Sequence, residues 1–423
     1  MIDIPKLLKN QLLQHSFVYI LSNIIKSAIP FFLLPVLTRL LSPSDYGIIA
    51  IFQVILSIFI VFVGINLHGA ISVNFFKLTK TEMKSYIGGI LTILVFSFLL
   101  NFVIFTFISS SLESVLKIPH NLTLFALIGA LFQSFINIVL TLYRMEERPF
   151  SYGIFSIANV LFNIFISLFL IIVYHMKWEG RVLGIFISSV VFGFFALFLL
   201  KTKDYLSFKI KKKYIKDALF FGIPLIPHAL GGWIITSTDR LFINSMIGTT
   251  ATGLYVVGYQ VGNIIELLAY SFNQAWGPFL FKKLEENNYE TKIKIVKFNY
   301  LYFVGIISLA ILLSLFAPLI IKIFVSKSFQ ESYKYVFWIA LGYAFNGMYY
   351  MVAGYIFFIK KTHILAWVTF FSAFLNALLN FIFIKLNGAI GAAQATTLTF
   401  LLSFLLTWIL SYKVYPMPWR IKW

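Results

Sequence analysis

Long apolar stretches alternate with short polar segments along the whole chain. A helix needs about 20 mostly apolar residues to cross a bilayer. The pattern predicts twelve such helices, at 16–37, 46–68, 86–108, 122–142, 152–174, 183–200, 219–238, 254–276, 298–321, 335–358, 364–384 and 390–412. Ahead of the first span, the apolar positions of 4–13 follow helical spacing and predict a helix that lies in the membrane interface. We therefore predict an all-α polytopic membrane protein.

Lysine and arginine are distributed unevenly between the two sets of loops. The 423-residue chain has 34 Lys and Arg against 15 Asp and Glu, a formal net charge of +19. With these spans, 24 of the 34 lie in the tails and even-numbered loops, nine lie in odd-numbered loops, and Lys26 lies inside the first span. The positive-inside rule then places both termini in the cytoplasm. Because topology accounts for the net charge, we expect no nucleic-acid partner.

Composition excludes several classes of protein. Hydrophobic residues make up 60% and charged residues 12%, whereas soluble domains carry about 25% charged residues. There is no cysteine, which rules out disulfides and Cys-based metal sites. Walker, dinucleotide-binding, HExxH and GxSxG motifs are also missing from the sequence. We therefore expect no enzyme, no cofactor and no metal, and the first apolar run is expected to remain as a membrane helix.

Features of the first half of the chain recur in the second half. Arg39 precedes Gly47 as Arg240 precedes Gly253, and an Asn-x3-Asn pair occurs in span 5 and again in span 11. Six helices per half give both halves the same orientation, a parallel repeat with substrate bound between two six-helix lobes. We predict an N-lobe at 1–200, a basic cytoplasmic linker at 201–218, and a C-lobe with the cytoplasmic tail at 219–423.

Two charged residues lie near the middle of predicted spans, where each costs about 2.5–3.5 kcal/mol on insertion scales. Lys26 is in span 1, and Glu266 is in span 8. One interpretation has Lys26 binding an anionic substrate in a water-filled cavity, with Glu266 coupling transport to an ion or proton or gating with Lys26. The alternative is a static ion pair that holds the lobes together.

Span 7 contains a segment that interrupts helical hydrogen bonding. Pro224, Pro227, Gly231 and Gly232 fall within ten residues, and proline removes a backbone donor. Broken helices at membrane depth are typical of transporters, so we predict a hinge here. His228 within it is predicted either to bind substrate or carry a proton, or to fill the kink as a hydrogen-bonded side chain.

Other polar side chains are candidates for substrate contacts or for packing. Arg39 and the pair Asp239-Arg240 lie at the outer ends of spans 1 and 7. They either cap helices and snorkel, or contact a phosphate or sugar and form an outer gate, with Asp239 as a gating residue. Asn273 in span 8 and the Asn pairs either bind sugar or form hydrogen bonds between helices.

Two segments carry a family resemblance: LTRLLSPSDYG at 37–47, and TDRLFI at 238–243 followed by Gly248 and GLY at 253–255. They resemble the signatures of Wzx-type polysaccharide biosynthesis flippases of the multidrug/oligosaccharidyl-lipid/polysaccharide exporter superfamily. The resemblance implies a V-shaped pair of six-helix lobes around a cationic central cavity. It also implies an undecaprenyl-diphosphate-linked oligosaccharide substrate, such as an O-antigen or capsule repeat unit. Lys26 and Arg39 are the positions that correspond to cations contacting the diphosphate.

The sequence thus predicts a multi-pass flippase of the bacterial plasma (inner) membrane that works by alternating access. Its expected partners are the lipid-linked oligosaccharide, membrane lipid, a glycan polymerase and a chain-length regulator. An ion-coupled drug antiporter of the same superfamily is the main alternative. A membrane polymerase or ligase, expected to need a sizeable external loop, and a scaffold of the glycan assembly machinery are weaker ones.

Overall fold

The structure is a computed structural model that describes residues 18, 21–22, 25–26, 28–116, 119–207 and 211–420. Within these ranges it has helices and no strands, and ten helices are long and apolar enough to cross a membrane. The prediction of an all-α polytopic membrane protein is confirmed. The interfacial helix predicted at 4–13 lies outside the described residues.

The helices follow one another with short connections. They are α1 (Ala28–Leu40), α2 (Pro43–Gly64), α3 (Leu67–Asn74), α4 (Lys80–Leu116), α5 (His120–Met145), α6 (Pro149–Ile172), α7 (Trp178–Thr202), α8 (Lys212–Gly222), α9 (Ile226–Met246), α10 (Thr249–Gly262), α11 (Ile264–Glu285), α12 (Tyr289–Phe324), α13 (Tyr333–Phe358), α14 (His363–Asn387) and α15 (Ala389–Val414), with 3₁₀ turns at Ile223–Leu225 and Lys327–Ser332.

Ten predicted spans correspond to the long apolar helices, and two do not. The described part of span 1 is the short helix α1. Span 8 is interrupted at Asn263, between α10 and α11, so the prediction of one continuous helix over 254–276 is wrong. The break follows Gly262, and both glycine and asparagine are poor helix formers because of backbone freedom and competing side-chain hydrogen bonds.

Local sequence explains where helices begin. Ser42 and Asp45 form a capping box at the start of α2: the Ser42 amide and hydroxyl donate to Asp45 Oδ2 at 2.9 and 2.6 Å, and Ser42 Oγ accepts from the Asp45 amide at 3.2 Å. Pro43 occupies the first helical position, where no backbone donor is needed. The predicted family motif at 37–47 therefore includes a helix-start signal.

The chain divides into two compact units. Unit 1 consists of the described residues of 1–33 and Ile48–Leu230, and unit 2 consists of Leu34–Gly47 and the described residues from Gly231 onward. The divisions fall inside α1, α2 and α9. The predicted linker, 201–218, belongs to unit 1 in its described part, and it becomes helical from Lys212.

In unit 1, α8 is attached to the start of α4 by polar contacts. The Tyr86 hydroxyl donates to Asp217 at 2.8 Å. Lys84 donates to Asp204 in the turn after α7, and this hydrogen bond, with the nearby positive charge, lowers the pKa of the Asp204 carboxyl. Burial, with the Glu146 carboxylate nearby, raises the pKa of Tyr205 to about 12. These contacts join Asp204 and Asp217, two described residues of the predicted linker, to the start of α4.

Unit 2 is built around α13. This helix packs against α10, α11, α12 and α15, and small residues allow the close approach. A Cβ added at Gly347 would lie 2.9 Å from the Ala269 Cβ, and one added at Gly342 would lie 3.2 Å from the Thr397 Cα. Small residues at helix interfaces are the usual means of tight packing in membranes.

Two glycines of the repeated motifs meet within unit 2. A Cβ on Gly47 would lie 1.9 Å from the Thr249 carbonyl oxygen, and a Cβ on Gly253 would lie 1.8 Å from the Pro43 carbonyl oxygen. The hydroxyls of Ser44 and Thr249 are 2.8 Å apart. The two segments that sequence reasoning matched as repeats therefore pack directly on each other.

Candidate functional site

Span 7 is broken where its prolines predict a break. Helix α8 ends at Gly222, a 3₁₀ turn covers Ile223–Leu225, and α9 begins at Ile226. The Ile226 amide donates to the Ile223 carbonyl, the tighter bonding pattern of a 3₁₀ turn. Pro224 and Pro227 lack the donors that a continuous α-helix would use here. The predicted hinge segment is therefore a local change of helix type.

Span 8 contains a second interruption, which places an acidic side chain at a helix start. Asn263 lies between α10 and α11, and Glu266 falls in the first turn of α11. Backbone N–H groups at a helix N-terminus stabilise a carboxylate. An analogous interruption occurs in unit 1, where Ile65 and Asn66 take left-handed φ values of 45° and 50° between α2 and α3.

A polar cavity of about 580 Å³ lies inside unit 2. It is lined from α9, α10, α11, α13, α14 and α15, and its polar groups are mostly tyrosine, asparagine and hydroxyl side chains. The lining residues are Gly232, Ile235, Thr236, Ser237, Arg240, Tyr259, Asn263, Glu266, Tyr343, Asn346, Tyr349, Tyr350, Thr369, Ser372, Phe400 and Ser403. Ligand pockets typically have volumes of about 300–1,000 Å³, so the cavity can hold a small polar ligand.

Glu266 is held by two donors from α13. Its Oε1 accepts a hydrogen bond from the Tyr350 hydroxyl at 2.6 Å, and its Oε2 accepts one from Asn346 Nδ2 at 3.0 Å. Asn346 also donates to the Tyr350 oxygen at 3.0 Å. The three side chains form one network that fixes the carboxylate at the cavity wall. Buried networks of this kind are stable only when each polar group has a partner.

Arg240 lies against a tyrosine ring. Its guanidinium carbon is 4.3 Å from the centre of the Tyr259 ring, a cation–π arrangement. Its Nη1 donates to the Thr236 carbonyl at 2.8 Å, and the hydroxyls of Tyr259 and Tyr343 are in contact with each other. The guanidinium is therefore positioned by its own helix and by α10.

Asp239 points elsewhere. Its side chain is 1% exposed; Oδ1 accepts from the Arg240 amide at 2.8 Å, and Oδ2 accepts from the Tyr255 hydroxyl. Asp239 is not one of the residues that line the cavity. The structure thus separates the adjacent pair: Arg240 lines the cavity, whereas Asp239 bonds α9 to α10.

The other predicted site residues lie outside the cavity lining. Lys26 and His228 belong to unit 1 and have exposed side chains, and Arg39 is an exposed residue of unit 2. Asn273 is half-buried on α11. Of the predicted hinge residues, only Gly232 lines the cavity. The structure therefore brings Arg240 and Glu266 into one cavity of unit 2, and Arg39 and Asn273 of the same unit are not among its lining residues.

The asparagine pairs make hydrogen bonds between helices. Asn159 Oδ1 accepts from the Ser188 hydroxyl at 2.7 Å, and Asn163 accepts from Arg181. In unit 2, Asn376 donates to Thr399 at 3.3 Å. These contacts are of the kind expected if the asparagine pairs form hydrogen bonds between helices. Among the residues that the structure describes, no cluster of three or more His, Asp or Glu side chains is placed to hold a metal ion.

Sequence reasoning missed the tyrosines and Asn346 of α13. Tyr343, Tyr349 and Tyr350 lie in a span that has no charge after Lys334, so no insertion cost drew attention to it. The signal was present as spacing, because Tyr343, Asn346 and Tyr350 recur at i, i+3 and i+7, one face of a helix.

The fold defines a class: a polytopic α-helical membrane protein. Two similar solved structures are the lipid II flippase MurJ in an inward closed conformation (TM-score 0.76, 16% identity, 95% of this chain and 87% of that chain) and an inward-facing multidrug resistance MATE family transporter of the MOP superfamily (TM-score 0.72, 14% identity, 94% of each chain). At these identities the likeness concerns the fold.

Sequence comparison identifies the family. The model of the polysaccharide biosynthesis protein family matches residues 12–284, and the chain belongs to this family. A relative is Lsg locus protein 1 of Haemophilus influenzae, which is 28% identical over 278 residues; the match covers 64% of this chain and 66% of that protein, just under two thirds. The predicted family resemblance is confirmed.

Proposed function

We propose that this chain is a flippase for undecaprenyl-diphosphate-linked oligosaccharide repeat units, of O-antigen or capsule type. It moves them from the cytoplasmic to the outer leaflet of the bacterial plasma (inner) membrane. The observation that carries the proposal is a cavity that places polar and charged side chains among membrane helices, in a member of the polysaccharide biosynthesis family. The similarity of the fold to a lipid II flippase supports it.

A lipid-linked sugar needs a protein to cross the membrane because its polar headgroup is costly to desolvate. The hydroxyls and phosphates of a lipid-linked sugar lose their water in hydrocarbon, at a cost of several kcal/mol for each group left without a partner. A cavity lined by tyrosine, asparagine, Arg240 and Glu266 replaces that water with hydrogen bonds. The polyprenyl chain stays in the lipid while the headgroup crosses by alternating access.

Roles for individual residues follow from their positions. Arg240 and Glu266 contact the headgroup in the unit 2 cavity, and Glu266 also couples transport to an ion or proton. Lys26 and Arg39, which are exposed cations, contact the diphosphate. His228 and Asn273 are secondary contacts. Asp239 acts as a gating residue through its hydrogen bonds to α10.

The broken segment of span 7 is proposed as the hinge of the transport cycle. Pro224 and Pro227 interrupt the helix, and Gly231 and Gly232 follow within five residues of Pro227. One of the three boundaries between the compact units falls between Leu230 and Gly231. A segment with weakened backbone hydrogen bonding absorbs a change of direction at lower energetic cost than a regular helix.

One observation favours a second candidate, an ion-coupled drug antiporter. A half-buried carboxylate, Glu266, lies in the cavity, and the fold is also similar to a multidrug transporter. Intramembrane acids are the usual ion or proton sites of such proteins. A membrane glycan polymerase or ligase has no comparable support. Cooperation with a polymerase and a chain-length regulator is part of the flippase proposal.

Purified protein in proteoliposomes tests the proposal directly. Vesicles contain a fluorescent undecaprenyl-diphosphate oligosaccharide, and a membrane-impermeant quencher reports how much of it lies in each leaflet. The proposal predicts protein-dependent equilibration between leaflets, reduced by Arg240→Gln and unchanged by the exposed variant Lys385→Gln. No flipping, together with proton- or sodium-driven efflux of a cationic dye from the same vesicles, would establish the antiporter instead.

A further inference from the structure

The unit 2 cavity has one cation and one carboxylate among the residues that line it, Arg240 and Glu266. In the part of the chain that the structure describes, the two do not form an ion pair with each other; the ion pairs found there involve other residues. Each charge is held by different protein groups. The cavity therefore presents a donor site and an acceptor site to a ligand.

The Arg240 guanidinium has hydrogen-bonding capacity left for a ligand. It carries five N–H donors, and its contacts are a hydrogen bond to the Thr236 carbonyl and the neighbouring Tyr259. The adjacent carboxylate of Asp239 is occupied by the Arg240 amide and the Tyr255 hydroxyl. A guanidinium in a low-dielectric cavity with no carboxylate bonded to it favours an anion that it can bind through two parallel hydrogen bonds.

Glu266 can accept hydrogen bonds from neutral hydroxyl groups of a ligand. Its charge is compensated by two donors, the Tyr350 hydroxyl and the Asn346 amide, and each carboxylate oxygen has further lone pairs. Hydroxyl groups on neighbouring carbons of a sugar can donate to these positions. The tyrosine rings in the lining offer flat apolar surfaces for the C–H faces of a pyranose.

We propose that this cavity binds the sugar part of the substrate and selects a sugar that carries one carboxylate, of the hexuronate type. Arg240 binds the carboxylate, and Glu266 with Tyr350 and Asn346 binds ring hydroxyls. That the sugar arrives attached to a lipid rests on the proposed function.

Charge balance favours a monoanionic sugar over a diphosphate. Arg240 is the one cation among the lining residues, and two carboxylates, Glu266 in the lining and Asp239 beside Arg240, repel additional negative charge. A hexuronate brings one negative charge together with hydroxyl donors, which matches both sites. A diphosphate brings more negative charge and no hydroxyl donors, so it cannot donate a hydrogen bond to the Glu266 carboxylate.

The test is calorimetric titration of the purified full-length protein in nanodiscs. The probes are glucuronate, galacturonate and mannuronate, each compared with its neutral hexose, and inorganic diphosphate. We expect at least one hexuronate to bind more tightly than its neutral hexose and more tightly than diphosphate. Arg240→Gln is expected to weaken the binding of that hexuronate about 30-fold or more. This corresponds to the loss of about 2 kcal/mol when one partner of a hydrogen-bonded charge pair is removed.

Variants separate recognition from folding. Arg240→Lys keeps the charge but loses the planar fork, so it should give an intermediate loss, and Lys385→Gln should bind as the wild type does. Equal binding of acidic and neutral sugars, no binding of either, or tighter Arg240-dependent binding of diphosphate would overturn the inference. Proteoliposome flipping of a lipid-linked hexuronate glycan no faster than that of its neutral counterpart, and unchanged by Arg240→Gln, would also overturn it while leaving the flippase standing. Hexuronate binding without any flipping would overturn the flippase instead.

Discussion

Glu266 is the side chain on which the polar network of the cavity converges. Tyr350 and Asn346 both donate to it from α13, and α11 begins just before it. Removing the carboxylate leaves two donors without their acceptor, and each such buried group costs about 1–3 kcal/mol.

We expect Glu266→Ala to abolish substrate flipping and to lower the thermal stability of the purified protein. Glu266→Gln keeps an acceptor oxygen and should retain stability while losing the carboxylate-dependent activity. Glu285→Ala, an exposed carboxylate at the end of the same helix, is the matched control and should change neither. The measurements are the midpoint of thermal unfolding and flipping in proteoliposomes. Full activity of Glu266→Ala would remove this residue from the transport mechanism.

Substitutions of Lys26 test the prediction that this cation binds the diphosphate. Its side chain is exposed, so its loss is expected to leave folding unchanged. We expect Lys26→Ala to reduce flipping at normal protein levels and Lys26→Arg to retain most of it, because a diphosphate accepts either cation. Normal flipping by Lys26→Ala would exclude the residue from substrate binding.

At the residue scale, the sequence was informative where a side chain is costly in a membrane. Glu266 and Lys26 were selected because a charge within an apolar span requires a reason, and Glu266 lines the cavity. Arg39 and Arg240 were selected as charges at the outer ends of spans, and His228 as part of the predicted kink; Arg240 lines the cavity. Tyr343, Asn346 and Tyr350 carry no insertion cost, so their shared helix face was not recognised as a site.

At the scale of helices, the repeated motifs pack closely because Gly47 and Gly253 let their backbones come into contact. A methyl group at Gly253 would lie 1.8 Å from the Pro43 carbonyl oxygen, which neither backbone can accommodate without moving. We expect Gly253→Ala to lower the thermal midpoint of the purified protein, because the contact must separate. Gly305→Ala, at a helical position with nothing within 4 Å of the added Cβ, should leave it unchanged or raise it slightly. Equal midpoints for the two variants would contradict the packing.

The broken helix gives a prediction about backbone hydrogen bonding. Replacing Pro224 and Pro227 together by alanine restores two amide donors, so α8 and α9 should join into a more regular helix. Hydrogen exchange of the amides around 223–230 should become slower, and flipping should fall if the segment is the hinge. Pro149→Ala, at the first helical position of α6, is the control because no donor is needed there. Slower exchange with normal flipping would leave the kink as a structural feature only.

The sequence predicted helices correctly where the length of an apolar stretch identifies a span. It failed where local backbone geometry interrupts a span. Ten spans were predicted from hydropathy alone, and the break in span 7 was predicted because its prolines cannot continue the helical hydrogen bonding. The break at Asn263 in span 8 was missed because Gly262-Asn263 is also compatible with a continuous helix. The Gly47 and Gly253 repeats were seen in sequence, but their direct contact requires the fold.

For the whole molecule, the charge of the substrate predicts a dependence on voltage. Moving a diphosphate outward is favoured by about 2.3 kcal/mol per charge per 100 mV when the cytoplasmic side is negative. We expect flipping in proteoliposomes to accelerate under a potassium diffusion potential of this polarity and to slow under the opposite one. A rate that ignores the imposed potential would rule out this form of coupling.

The central claim is that the chain translocates lipid-linked oligosaccharide, and one measurement in cells addresses it most directly. The gene is deleted and then restored on a plasmid, and surface glycan and the leaflet position of lipid-linked repeat units are measured together. The proposal predicts loss of surface glycan, accumulation of repeat units facing the cytoplasm, and recovery of both on restoration. Unchanged surface glycan without accumulation, in a strain with no second flippase of this family, would contradict the proposal.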